Sequence, residues 1–340
     1  MGGSQNLTIT PESSSKIAKM SFLCALFVVA SHTSGGPKWL QIVLGIKPIA
    51  VPFFFLLSGY LFAGRFGEVG WYFRQLKKRF LTLFTPYVIW NCAYWLFATG
   101  LVYMQIRLGL ESRAGNLDGI LWRQWDVLGL HPLYCPALGA LWFVRCLLVI
   151  TLLSPIFYVF TLRWSLALVF AGFVFVLIVD WKFPNPETGW LNIWMLKGWC
   201  RAAVYFSAGV WLRFNHLDIP WGVRYSLIPL AIGWAMLCSG NRLLYQVGIP
   251  FAILGLWGVL SAKEWPRWLT SCAFPVYVLH GFFSMCIIGV IACAGLRTWA
   301  ESSALAFMLK WLIMSAGSVL VAVGIRKSSL KFSNIVFGGR

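Results

Sequence analysis

The chain has 340 residues, of which 59% are hydrophobic and only 11% charged, with 20 Trp and 27 Phe. A soluble domain carries about 25% charged residues, so a water-soluble catalytic domain is excluded, and nine scattered cysteines with no CxxC pair suggest neither a disulfide framework nor a metal site. The net charge of +18, with no soluble basic domain to carry it, points to cationic loops at a membrane surface and not to nucleic-acid binding.

In chain order, the polar start MGGSQNLTITPESSSK lacks the basic n-region of a cleavable signal peptide. Long uncharged apolar runs follow, each near or above the roughly 18–20 residues that cross a hydrocarbon core. They predict an all-α, polytopic transmembrane bundle of about ten spans: 17–35, 46–64, 80–103, 138–160, 164–181, 196–213, 221–240, 243–261, 269–293 and 303–324. Lys and Arg concentrate on the side that holds Lys16, Lys19, Arg65, Lys77, Lys78, Arg79, Arg163 and Lys327. That bias predicts both termini in the cytoplasm. The expected organisation is a tail at 1–16, one membrane domain at 17–325 and a basic tail at 326–340. The longest outside connections would be 104–137 and 182–195.

Polar groups within such spans are costly and mark function. His32 ends the first span within FVVASHT, where it is either an interfacial side chain or a working imidazole. The cluster RQLKKR (Arg74–Arg79) precedes the third span, as a positive-inside anchor or a site for anionic phosphates. Arg145 lies about two turns into the fourth span, either snorkelling or clamping an anion. His280, in FPVYVLHGFF, lies near mid-bilayer, held by a backbone hydrogen bond or used chemically. Apart from Asp180 at an edge, the spans hold no carboxylate, which argues against Asp/Glu proton relays and a Ser-His-Asp triad. Histidine is then the side chain within the spans that titrates near neutral pH.

Five stretches give the chain a family likeness. FLCALFVVASHT, VPFFFLLSGYLFAGR, KKRFLTLFTPYVIWN, LWFVRCLLVITLLSP and, more weakly, FPVYVLHGFF resemble, in order and spacing, the bacterial acyltransferase 3 family of integral-membrane O-acyltransferases. The resemblance implies transfer of an acyl group, usually acetyl from cytoplasmic acetyl-CoA, to a sugar hydroxyl of a cell-surface or exported glycan. Its setting would be the bacterial inner membrane, with a glycan or lipid-linked saccharide as acceptor and no metal. It maps the catalytic residue to His32, as general base or acyl carrier. Cofactor contacts map to Lys78 and Arg79, with Arg74 nearby, and the family's arginine after Trp-Phe maps to Arg145; in the mechanism expected from these groups Arg145 and His280 would polarise the carbonyl or orient the acceptor.

Two positions depart from the family pattern. The family commonly carries an arginine eleven residues before the histidine, on the same helix face and about 16 Å lower; here that residue is Ser21. Lys19 and Lys16 point away from that face. Cys146 stands where an aspartate usually follows the arginine. Two other classes use the same basic groups: a transporter or flippase for an anionic lipid-linked sugar, and a non-catalytic subunit of a polysaccharide-synthesis complex.

Overall fold

Helix α1 (Pro11–His32) begins where the sequence offers a cap. Thr10 accepts a hydrogen bond from the Ser13 amide at 3.2 Å, and Pro11 takes the first helical position, where its missing N–H is no loss. Helix therefore reaches six residues back into the expected N-terminal tail. The computed structural model describes residues 9–64, 70–107, 127–128, 136–182, 193–214, 223–261 and 263–339, and no strand occurs among them. Of the expected outer connections, most of 104–137 and residues 183–192 lie outside the described residues.

After α1 come α2 (Lys38–Val43), a short 3₁₀ turn, α3 (Ala50–Ala63) and α4 (Trp71–Arg79). A π turn at Phe80–Phe84 joins α4 to α5 (Thr85–Arg107). The loosening has a local cause: Pro86 has no N–H to give the Thr82 carbonyl one turn back. The basic cluster is thus part of a helix that continues into the span. Next are α6 (Trp142–Leu152), α7 (Ser154–Lys182), α8 (Ile193–Phe214), α9 (Val223–Cys238) and α10 (Arg242–Val259). The chain ends with α11 (Arg267–Thr270), α12 (Ala273–Cys293), α13 (Arg297–Ser302), α14 (Ala304–Ser328) and α15 (Leu330–Phe337).

Among the described residues six helical stretches are long and apolar enough to cross a membrane: Pro11–His32, Lys38–Ala63, Trp71–Met104, Arg242–Val259, Ala273–Ile291 and Ala304–Ser328. Shorter apolar stretches are Gly139–Leu152, Val169–Val179 and Val223–Cys238. One expected boundary moves. The turn anticipated around Arg163 lies inside α7, and the break falls at Leu153 instead. Pro155 decides this, because its ring cannot continue the preceding helix but suits the start of a new one. The segment expected as a basic tail contains α15, whose Val336 and Phe337 are buried.

Lipid tails are as apolar as leucine, so helices in a membrane associate through close packing and polar contacts. Here α3 and α8 meet backbone to backbone. A Cβ on Gly59 would collide with the Phe206 carbonyl, and one on Gly209 with the Leu56 carbonyl. Side-chain donors tie other elements together. Lys19, 1% exposed, donates to the carbonyls of Ser261 and, at 2.8 Å, Lys263. Trp311 Nε1 donates to the Leu26 carbonyl at 3.0 Å, joining α14 to α1.

Gly59→Val should therefore force α3 off α8 and cost about 1–3 kcal/mol, the usual range for overpacking. A thermal melt of the detergent-solubilised protein should show the loss, while Gly100→Val, where nothing lies within 4 Å of the added Cβ, should melt near wild type.

Candidate active site

The RQLKKR cluster owes its geometry to the helix that carries it. On a helix, positions i, i+3, i+4 and i+7 share a face, and Gln75, Lys78, Arg79 and Thr82 form that stripe. All four line a cavity of about 500 Å³. Arg74 lies off the stripe and is exposed. The opposite walls come from Ile17, Ala18 and Ser21 of α1, from Ser58 of α3, and from Ala273, Phe274 and Tyr277 of α12. Gly338 and Gly339, after α15, complete the lining. The Nε of Arg79 is buried and has no hydrogen-bond partner among the described residues. A guanidinium N–H left in this state is costly.

Ser21 faces this space, so the position from which the family's arginine is missing does point into the basic cavity. Lys19 does not replace that charge, because its ammonium is held by the Ser261 and Lys263 carbonyls.

Three aromatic rings form one end of the cavity. Phe54, Phe143 and Tyr277 all line it, and their ring centres lie 5.6 Å (Phe54–Phe143), 6.3 Å (Phe54–Tyr277) and 5.9 Å (Phe143–Tyr277) apart. The Tyr277 hydroxyl donates to the Ala140 carbonyl, which fixes the ring. The Tyr277 ring also lies 6.4 Å from that of His280, one helical turn further along α12.

His280 in turn meets His32. Their rings are 5.1 Å apart and tilted by 39°. His280 is 2% exposed, and its Nδ1 lies 3.3 Å from the Val276 carbonyl. A carbonyl can only accept, so this contact puts the proton on Nδ1 and leaves Nε2 its lone pair. His32 is exposed at the end of α1. The spacing argument expects the Ser21 position and His32 to line one cavity. The structure instead gives Ser21 to the basic cavity and His32 to the histidine pair, with the aromatic layer joining the two.

The loop that follows His32 is held from several sides. Lys310, 8% exposed on α14, donates to the carbonyls of Ser34 (2.6 Å) and Ala300 (2.9 Å). The Gly36 amide donates to the Glu301 carbonyl at 2.8 Å. Gln41 Nε2 donates to the Gly35 carbonyl at 2.7 Å, and Lys47 Nζ to Gln41 Oε1 at 2.8 Å. Thr33 Oγ1 donates back to the Val29 carbonyl at 2.8 Å, closing the last turn of α1.

The structure therefore brings His32 and His280 together and puts Lys78 and Arg79 on one wall. It keeps Arg145 apart from both groups. Phe143 and Leu147 face the cavity from α6, and Arg145, about 200° around the helix from Phe143, is buried with its guanidinium 5.8 Å from the Trp199 ring of α8. Cys146 beside it is fully buried. Among the described residues no group of three or more His, Cys, Asp or Glu side chains could hold a metal ion. Tyr277, Phe54, Phe143 and the two glycines carried no distinguishing signal in sequence, whereas Lys310, a charge within the expected span 303–324, had one that the sequence reading passed over.

A family model described as an acyltransferase domain matches residues 21–327. The chain is also similar to the succinoglycan biosynthesis protein ExoH of Rhizobium meliloti (strain 1021), at 24% identity over 235 residues. That match covers 65% of this chain and 59% of ExoH, so the chain spans less than two thirds of the relative's length. No solved structure matches.

Lys310→Met should free the Ser34 and Ala300 carbonyls and loosen the loop behind His32. The expected cost is about 1–3 kcal/mol of stability for a buried polar group left unsatisfied, read by thermal melting. Amide exchange over residues 33–36 should rise, whereas exchange at the Lys19 contacts should not.

Proposed function

The chain belongs to this acyltransferase family, and on that premise we propose that it is a multi-pass membrane O-acyltransferase moving acetyl from acetyl-CoA to a hydroxyl of a cell-surface or exported glycan. The observation that carries the reading is the sequence of a basic cavity, an aromatic layer and a paired histidine along one path. In this scheme the basic cavity opens to the cytoplasm of a bacterial inner membrane, with both termini on that side. Lys78 and Arg79 meet the phosphates of the CoA. Their place on one wall of the cavity supports that assignment. Arg74, exposed beyond the cavity stripe, would add only long-range attraction for the anion.

The reaction needs a base for a weakly acidic sugar hydroxyl. His32 takes the hydroxyl proton as the oxygen attacks the thioester carbonyl. A C–O bond forms, the C–S bond breaks, and the departing thiolate takes its proton from the His32 imidazolium. His280, with its Nε2 lone pair free and its ring against His32, steadies that imidazolium while charge is present. Arg145 holds α6 to α8 through Trp199 and orients the acceptor side of the bundle indirectly. The donor's thioester end must pass the Phe54–Phe143–Tyr277 layer to reach His32.

His32→Ala should lower acetyl transfer by about 10²–10⁴-fold, the usual worth of acid–base catalysis. The readout is O-acetyl signals in NMR spectra of the host's surface glycan, in a deletion strain complemented with wild type or with the variant. Acetyl signals fully restored by His32→Ala would remove the histidine from the mechanism. A deletion that alters no acyl signal would favour the transporter or subunit reading. Lys78→Ala and Arg79→Ala should each weaken acetyl-CoA binding by about 10-fold or more, since hydrogen bonds to charged groups contribute about 1.5–3 kcal/mol. Titration of the purified protein with acetyl-CoA checks this.

A further inference from the structure

The far end of the described chain returns to the cavity it would be expected to leave. Ser329 caps α15, accepting from the Phe332 amide at 3.2 Å. The helix then lays Val336 and Phe337 into the bundle at 3% and 0% exposure. Trp90 of α5 receives them: its Nε1 donates to the Val336 carbonyl at 2.7 Å, and its ring stacks on Phe337 at 5.8 Å and 19°. The next two residues, Gly338 and Gly339, have φ of +69° and +68° and line the cavity that holds Lys78 and Arg79.

The two glycines face different constraints. A Cβ on Gly338 would collide with the carbonyl of Thr82. That is the carbonyl for which Pro86 provides no N–H, at the π turn below the basic stripe. Gly338 thus seats the turn against α5 by having no side chain. A Cβ on Gly339 meets nothing within 4 Å. Gly339 is exposed and lines the same cavity as the two cations, so what the second glycine provides there is clearance.

We propose that the Phe337–Gly339 turn is a wall of the binding site for the nucleotide-bearing thioester, and that Gly339 keeps open the volume through which that cofactor reaches Lys78 and Arg79. The proposal rests on the reading of this cavity as the acyl-donor site. It assigns cofactor binding to a segment that composition marks only as a basic tail.

The test is a size series at one backbone position. Gly339→Ala, Gly339→Leu and Gly339→Trp share the same left-handed strain, so alanine reports the backbone effect and the larger residues report occlusion. Each full-length variant, purified in detergent or nanodiscs, is titrated with CoA and acetyl-CoA, and its melting temperature is taken without ligand. The expected result is a Kd near wild type for alanine, rising with side-chain volume to about 10-fold or more for tryptophan, with the three variants sharing one ligand-free melting temperature, lowered from wild type only by the common backbone strain. The KM for acetyl-CoA should rise in parallel, with kcat at saturation within about threefold, because His32 is untouched. Tryptophan binding acetyl-CoA as tightly as alanine would overturn the proposal while leaving the donor-site reading intact. Wild type that binds neither CoA nor acetyl-CoA would overturn both. As a check that the turn is seated as described, Gly338→Val, which adds a backbone collision to the strain, should lower the melting temperature by more than Gly339→Ala does.

Discussion

A charged or polar group inside an apolar bundle must find its partner among what the bundle offers, and among the described residues several such groups find a backbone carbonyl. Lys19 holds the Ser261 and Lys263 carbonyls. Lys310 holds those of Ser34 and Ala300, and Trp311, Trp90 and Tyr277 reach those of Leu26, Val336 and Ala140. The ion pairs Lys16–Glu12 and Arg297–Glu301 join neighbours within one helical turn and bring no distant elements together. The long-range order of the site depends on single donors reaching carbonyls that a helix end or turn leaves open.

This explains why the functional groups fall into two compartments. Lys78 and Arg79 line the cavity, whereas the ammonium groups of Lys19 and Lys310 hold backbone carbonyls. The histidines are separated from those cations by rings that carry no charge. A layer of Phe54, Phe143 and Tyr277 lets the apolar bundle stay closed between a basic cavity and an imidazole pair, and Tyr277 contacts both sides.

The glycine positions show the same economy at the backbone. Gly59 and Gly209 let α3 and α8 touch, which fixes the α3 wall carrying Phe54 and Ser58. Gly338 lets the final turn reach the Thr82 carbonyl. In each case one missing Cβ decides whether a cavity wall is in place.

Much of this was legible in the residues. His32 and His280 stand out as imidazoles in uncharged runs, and RQLKKR as a cation cluster. The Ser21 and Lys19 faces follow from 100° per residue. The aromatic layer was not legible, because three rings among 27 Phe, 20 Trp and 11 Tyr carry no mark of their own. Nor was the division of the basic cluster into cavity-facing Lys78 and Arg79 and outlying Arg74, since that needs the helix to begin at Trp71. By itself the sequence determined a bundle of membrane-spanning helices and the short inventory of groups able to do chemistry in it, because a hydrocarbon setting admits long apolar helices and makes each polar exception costly. Only the tertiary structure decided which exceptions share a site. Helical periodicity fixes the face of one helix, but which faces meet depends on close backbone contacts and on buried side chains reaching carbonyls far away in the chain.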